Sequence, residues 1–475
     1  MIITAARKEA TGDVDKKNTT FPLSLNCLRD EQEIARSAAR LPRRGKRKNS
    51  CLVNSPLTPR RYASISNRKR TLSVSSSPSA PAARQTFTSP FARLATVLDP
   101  ITPALSPINM SIGEPQHGVP GFVANVLARN LAGFGKYPPI KGTPDFRAAV
   151  AAWIGKRYGL EGVIDGETMI LPLNGSREGI FYAAIEARMA AKKPIGTPAI
   201  LIPNPFYQAY AAGAVAAGCE AVMVAANAST GFLPDIAGLP EELLARTVAC
   251  FYASPANPQG VVATRAEWEA VIKAARTHDF MLLADECYSE IYRDVPPTGV
   301  LEVAHALDGS FSHVLSFNSL SKRSNLPGMR VGFVAGDPAF LTRWTAFRNM
   351  AAPQVPLPLQ AVAAAAYRDE AHVIENRRLY NEKFAVADES LRASFGRVIP
   401  PGGFFLWLNV AAFGGGETVA LKAWREAGLK IIPGGYLSAE GADGINPGED
   451  YVRIALVDSI EATREGMTRL ARVLT

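Results

Sequence analysis

From about Phe91 to the C-terminus, short apolar runs alternate with stretches in which apolar residues recur at helical spacing. Runs at 169–173, 199–203, 248–253, 280–284, 314–317 and 330–335 predict strands, and the stretches 144–158, 177–191, 265–277 and 338–348 predict amphipathic helices. Strands alternating with helices imply an α/β fold with a mostly parallel sheet covered by helices. The last hundred residues mix helices with separated strands at 404–410 and 451–457, which suggests a second, smaller α/β domain. No internal repeat is visible. The expected division is an N-terminal extension at 1–88, an arm with part of the small domain at 89–135, a large domain at 136–350 and a small domain at 351–475.

Residues 1–88 do not follow the pattern. They are rich in Arg, Lys, Ser and Pro, and their apolar residues are sparse and aperiodic. Such a segment cannot bury enough surface to offset its ordering entropy, so disorder is expected. It also distorts the charge balance. Residues 1–90 hold 18 Lys/Arg against 6 Asp/Glu, whereas the remaining 385 hold 34 against 37. The formal +9 of the chain therefore says nothing about its body, which has no positive excess to attract nucleic acid. Six acidic residues count against an organelle transit peptide, and a DNA-binding head would need an apolar helix-turn-helix core that this segment lacks. The five cysteines are odd in number with no C-x-x-C pair, which points to a reduced, cytoplasmic protein. The five histidines form no H-E-x-x-H or Cys/His cluster, so no metal site is expected. No apolar run reaches membrane-spanning length, and the N-terminus has no continuous secretory core.

The chemistry lies in six separated motifs. Ser319-Leu320-Ser321-Lys322 follows an apolar run, and Arg330 lies eight residues beyond the lysine. A hydroxyl and a guanidinium flanking a lysine suit one that forms a Schiff base with pyridoxal phosphate and holds its phosphate alongside. Gly175-Ser176-Arg177-Glu178 opens a helix, where backbone N–H groups make an anion site or an ordinary N-cap. Pro203-Asn204-Pro205-Phe206-Tyr207 presents Tyr207 after a strand, as a ring to stack on a flat cofactor or as a core aromatic. Ser254-Pro255-Ala256-Asn257-Pro258-Gln259-Gly260 reads by itself as a turn. Asp285 ends an apolar run ahead of Glu286-Cys287-Tyr288. A carboxylate there lies where open α/β sheets bind ligands, and a protonated pyridine nitrogen would compensate it; a helix N-cap is the alternative. Arg453 alternates with apolar residues in Tyr451-Val452-Arg453-Ile454, as a carboxylate clamp or a solvated strand position.

The order and spacing of these motifs resemble the class I/II aminotransferases of fold type I, from about Pro107 to Thr475. Ile112-Gly113-Glu114-Pro115, Tyr137-Pro138-Pro139-Ile140-Lys141-Gly142, Pro401-Gly402-Gly403-Phe404-Phe405 and Pro433-Gly434-Gly435 fit the same pattern. The resemblance implies pyridoxal 5′-phosphate bound covalently to Lys322, with Asp285 on the pyridinium nitrogen and Tyr288 and Asn257 on the phenolic oxygen. It implies Ser176, Arg177, Ser319 and Arg330 around the phosphate, Gly175 permitting close backbone approach, and Tyr207 on the ring. Arg453 and the backbone at Gly113 would take the substrate α-carboxylate. Tyr137 would reach the phosphate of a neighbouring subunit, so a homodimer with shared sites is implied.

A narrower likeness is carried by Asn109-Met110-Ser111-Ile112-Gly113-Glu114-Pro115-Gln116-His117, Asn204-Pro205-Phe206-Tyr207-Gln208-Ala209-Tyr210, Glu286-Cys287-Tyr288-Ser289-Glu290-Ile291-Tyr292 and Ser319-Leu320-Ser321-Lys322-Arg323-Ser324-Asn325. These look like the succinyldiaminopimelate aminotransferases of lysine biosynthesis. Such a substrate carries two carboxylates at its far end, for which Arg323, Arg348 and Lys141 are the candidate cations. The serious rivals share every cofactor residue: another aminotransferase (aspartate, alanine or aromatic) or a C–S lyase. The S-x-x-K of a serine hydrolase is also spelled at 319–322, but its S-D-N and K-T-G partners are absent. A chain beginning at Ser89 is expected to fold, dimerise and transfer amino groups like the full chain; circular dichroism, gel filtration and turnover of the two forms check this.

Overall fold

The computed structural model describes residues 88–193, 196–441 and 444–475. The disorder expected for 1–88 falls, but for its last residue, outside them. Twelve strands are described: β1 (Ile108–Asn109), β2 (Ile170–Leu173), β3 (Ala199–Asn204), β4 (Glu220–Ala225), β5 (Thr247–Ala253), β6 (Met281–Asp285), β7 (Val314–Ser319), β8 (Gly332–Gly336), β9 (Phe405–Asn409), β10 (Leu429–Lys430), β11 (Ile432–Pro433) and β12 (Tyr451–Ala455).

Seven of them form one sheet in the order β2-β8-β7-β6-β5-β3-β4. Neighbours from β7 to β4 run parallel, and β8 is antiparallel to both β7 and β2. The strands β3, β7 and β8 are buried throughout, and β6 up to Asp285, because helices cover both faces. Leu201, Cys250, Tyr252, Leu282 and Ala284 pack into one core, and Ile200, Ile202, Phe251, Leu283 and Phe317 into the other. The helices follow the same logic. In Arg265–Thr277, Trp268, Val271, Ile272 and Ala275 turn inward, and a Thr264/Glu267 capping box starts the helix. A three-stranded antiparallel sheet, β11-β12-β9, has its own core around Leu406, Leu408, Val452 and Ile454.

Most expected bounds shift by one to three residues, and one shift bears on the site. The strand foreseen from Arg330 begins at Gly332, because Arg330 takes a left-handed backbone with φ +53° that no strand accommodates. The antiparallel β8 explains the site that follows. Gly332 pairs with both Ser319 and Leu173, so the residues just beyond these three strand ends converge at one point of the sheet edge.

Arg348 does not face a ligand. It is 1% exposed on the helix Pro338–Ala351 and pairs with Glu178 at 2.7 Å. Arg348→Met would leave Glu178 without its counter-ion, and a loss of about 3 kcal/mol is expected in urea unfolding. Adding Glu178→Met should recover most of it, since an apolar pair needs no counter-charge.

Candidate active site

A cavity of about 500 Å³ opens at the C-terminal ends of β5, β6 and β7, where parallel α/β sheets bind ligands. Ser176, Arg177, Tyr207, Asn257, Asp285, Tyr288, Ser319, Lys322, Arg330, Arg453 and Gly113 all line it. Gly175 lies directly behind. Tyr137 does not line it; its side chain is 97% exposed on the protomer surface.

One end of the cavity is built for a phosphate. The helix Ser176–Ala190 begins at Gly175 with φ +80° and no side-chain cap, so its first N–H groups stay available. A Cβ at Gly175 would collide with the Arg330 guanidinium, which explains the glycine. Ser319 accepts from the Ser321 N–H at 3.1 Å and donates to the Ser321 hydroxyl at 2.9 Å. Arg177 hydrogen-bonds the Tyr207 hydroxyl, and Arg330 donates to Pro327 O at 2.9 Å. Neither arginine has a carboxylate partner among the described residues, so the cradle carries net positive charge.

Asp285 closes the floor. Its Oδ2 accepts from the Tyr210 hydroxyl at 2.7 Å and its Oδ1 from the Cys287 N–H at 3.2 Å. Tyr210 is buried and stacked on Phe251, with centroids 4.5 Å apart. The carboxylate, fixed by these two bonds, suits a protonated ring nitrogen. Lys322 leaves the one-turn helix Leu320–Arg323 and donates to Gly113 O at 2.7 Å. Burial presses its ammonium down to about 8, with Arg453 and Arg330 acting the same way against Cys287 and Glu114. A Cβ at Gly113 would strike the Phe405 ring.

Arg453 projects from β12 and is 5% exposed. It donates to Ser111 O at 2.7 Å and to Asn257 Oδ1 at 3.4 Å, over the Phe405 ring at 4.3 Å. Its Nε is buried without a partner, and among the described residues no carboxylate pairs with it. Burial draws its pKa down to about 10, still a cation at neutral pH. Tyr288 packs edge-on against Phe404 at 5.2 Å, and burial pushes its hydroxyl well above the usual phenol value.

Together these residues fit pyridoxal phosphate: a phosphate cradle, a carboxylate for the ring nitrogen, a lysine for the aldehyde and an unsatisfied guanidinium for the substrate. Tyr210 was not assigned a role from the sequence, although it lies one helical turn beyond Tyr207 and was open to the same spacing argument. Phe91, Glu114, Gln208 and Leu437 complete the outer wall. None of the three cations expected for distal carboxylates lines this cavity. Arg323 turns away from its neighbour Lys322 to Ala366 O and Glu370, and Arg348 is bound to Glu178. Consecutive helical residues point about 100° apart, so adjacency to Lys322 did not bring Arg323 to the cavity. Lys141 is exposed on the Tyr137 loop and lies outside this cavity, with Glu167 O 3.4 Å away.

The family model for aminotransferase class I and II matches residues 106–470. A 4-dedimethylamino-4-oxo-anhydrotetracycline transaminase of Streptomyces rimosus is 32% identical over 76% of this chain and 92% of its own. An LL-diaminopimelate aminotransferase of Syntrophobacter fumaroxidans is 30% identical over 77% and 91%. The crystal structure of an aminotransferase from Neisseria meningitidis superposes with a TM-score of 0.78 at 37% identity, covering 82% of this chain and 98% of that one. The matched region contains every lining residue of the cavity but Phe91, and the chain belongs to the class I and II aminotransferases, enzymes that use pyridoxal 5′-phosphate.

Proposed function

We propose that the protein exchanges the amino group of N-succinyl-LL-2,6-diaminopimelate with 2-oxoglutarate, giving N-succinyl-2-amino-6-oxopimelate and glutamate. The observation that carries the amino-acid chemistry is Arg453, a buried guanidinium without a counter-ion on the wall that also holds Lys322. An α-carboxylate satisfies it, as charge-assisted and bidentate pairing requires. The succinylated donor is supported by the motif variants around the cofactor residues; the relatives named for LL-diaminopimelate favour the unacylated donor of the second reading below.

The cofactor, when bound, takes up the electrons released as the α-proton leaves. Lys322 anchors it and then, as a free amine, removes that proton and returns it. An amine held near pKa 8 is neutral in a useful fraction at physiological pH. Asp285 keeps the ring nitrogen protonated by its adjacent negative charge, and Tyr210 holds Asp285 in place. Ser176, Arg177, Ser319 and Arg330 would hold the phosphate of the cofactor, Tyr207 would cover its ring, and Tyr288 and Asn257 would take its phenolic oxygen. Arg453 fixes the substrate so that its α-carbon faces Lys322 in both half-reactions.

The protein acts as a homodimer in this reading. Tyr137 is solvent-exposed on one protomer and would reach the partner's phosphate, and Lys141 on the same loop would meet the partner's cavity mouth, where distal carboxylates need a cation. The cytoplasm is the compartment that suits a biosynthetic enzyme whose described cysteines, Cys219, Cys250 and Cys287, are free. Glu114 favours a second reading. It is the one lining carboxylate besides Asp285, and a distal ammonium, as in unacylated LL-diaminopimelate, would pair with it.

Specificity constants decide between them. The succinylated donor should exceed free diaminopimelate, aspartate, alanine and aromatic amino acids. A higher value for free diaminopimelate selects the second reading, and a higher value for aspartate or an aromatic donor leaves only the class. Lys322→Ala should remove the visible band of the lysine-bound cofactor and cut turnover by at least about 10²–10⁴-fold; near-native turnover would refute its role. Asp285→Ala should retain cofactor with a large loss of turnover, and Asp285→Glu a smaller one. Tyr210→Phe removes one hydrogen bond to a charged group and should cost about 10-fold in turnover with cofactor retained.

A further inference from the structure

Beside the turn that bears the lysine lies a chain of polar groups that the reaction does not touch, with Asn376 and Lys383 buried and His117 half-buried against a smaller cavity of about 250 Å³ that Glu382 and Asp458 also line. Asn376 sits on the helix Ala371–Phe395 and is 6% exposed. Its Nδ2 donates to Lys322 O at 3.1 Å and to Arg323 O at 3.3 Å, the two carbonyls that end the one-turn helix bearing the lysine. Its Oδ1 is 2.6 Å from His117 Nδ1. Lys383, one further turn pair along the same helix and 3% exposed, places its ammonium 2.7 Å from His117 Nε2 and 3.2 Å from Val457 O.

With Lys383 donating to the ring, which it can do as ammonium or as amine where burial lowers its pKa to about 8, the polarity of this chain has one solution. The two backbone oxygens accept only, so they require the amide NH₂ of Asn376, and its oxygen must face His117. An oxygen there requires a hydrogen on Nδ1. An ammonium on the other side requires a lone pair on Nε2. His117 is therefore the neutral Nδ1–H tautomer.

The same chain joins three parts of the active site. His117 ends the segment whose Gly113 carbonyl receives the Lys322 amine, and Asn325 ties the His117 and Gly118 carbonyls to the loop after that lysine. Val457 lies two residues beyond β12, the strand that carries Arg453. Ser111, in the His117 segment, accepts from Arg453. Lys383–His117–Asn376 thus connects the strand of the carboxylate clamp, the substrate-facing segment and the turn of the lysine.

We propose that Asn376, His117 and Lys383 form a positioning network that sets the Lys322 amine relative to Arg453. The proposal does not depend on which amino donor the enzyme uses. The environment of His117 is consistent with a neutral ring. Lys383 faces it from one side, Asn376 from the other and the Tyr380 ring at 4.5 Å; Glu375 is the nearby anion, and Asp458 acts on Lys383. Burial, aided by Lys383 and opposed by the Asn376 bond and Glu375, lowers the His117 pKa. A depressed imidazole favours the fold above its ordinary value near 6.5, and that contribution is lost as pH falls below it. Protonation would set a second N–H against the Lys383 ammonium, so the network opens on the acid side.

The test begins with ¹⁵N-histidine NMR of the wild-type holoenzyme at pH 8, with the His117 signal assigned by its loss in His117→Asn. A neutral Nδ1–H ring is expected; an Nε2–H tautomer or a charged ring overturns the proposal, whatever the variants do. Asn376→Ala and His117→Phe should each lower turnover about 10²-fold, the scale of a small misplacement of a reacting group. The double variant should fall little further, because both break one network; additive losses overturn the proposal. His117→Asn, which keeps a donor where Nδ1 was, should stand closer to wild type than to His117→Phe, and its acid limb should lie at lower pH. An unchanged acid limb in that variant counts against the network.

Discussion

A guanidinium removed from water without a counter-ion is costly, and the fold accepts that cost at Arg453. Everything around it either tolerates the charge or needs it. Ser111 O and Asn257 Oδ1 give it neutral acceptors, the Phe405 ring faces it, and Lys322 nearby is pushed toward its neutral form. Arg177 and Arg330 add a second uncompensated positive region at the other end of the same cavity. A pocket with two cationic ends and a carboxylate in its floor is complementary to a phosphate, a carboxylate and a protonated ring. The binding energy of those anions would repay what burial of the cations withholds from stability.

The sheet makes this arrangement possible. Were β8 parallel to β7, Arg330 would enter the sheet at the opposite edge from Ser319. The antiparallel pairing brings Leu173, Ser319 and Gly332 into one register, so a helix N-terminus, two hydroxyls and an arginine share a corner. The left-handed backbone of Arg330 is the local strain that accompanies this turn. Asp285 and Lys322 come from the adjacent parallel strands β6 and β7, whose ends lie side by side because Asp285 pairs with Phe317. Rigid strands therefore set the separation between the acid in the floor and the amine, while the clamp arrives from the smaller antiparallel sheet. Two separately cored sheets both contribute to the cavity wall, and the polar chain through His117 links the turn of Lys322 to the strand of Arg453.

Much of this was legible in one dimension. Six strands of the large sheet read as apolar runs because both of their faces are buried, whereas the half-exposed edge strand β4 was missed; the helices 144–158 and 265–277 match their apolar spacing to the residue. Lys322, Asp285, Ser176, Ser319 and Arg330 were placed by motif because each stands at a strand end or helix start, where the sequence itself marks the boundary. Tyr210 was harder. A buried tyrosine is ordinarily core, and only its 2.7 Å bond to Asp285 separates the two roles.

The sequence by itself determined the alternation of elements, the confinement of the positive excess to residues 1–90 and the residues able to serve a pyridine cofactor, since these depend on local spacing and side-chain chemistry. Tertiary structure decided which charges face the ligand. Arg323 and Arg348 look like substrate cations in the chain, yet one turns to Glu370 and the other to Glu178. It likewise decided that His117, Asn376 and Lys383, up to 266 positions apart, form one chain of hydrogen bonds. Direction and counter-ion are properties of packing, because a side chain one residue along a helix points about 100° away and its partner comes from a distant element.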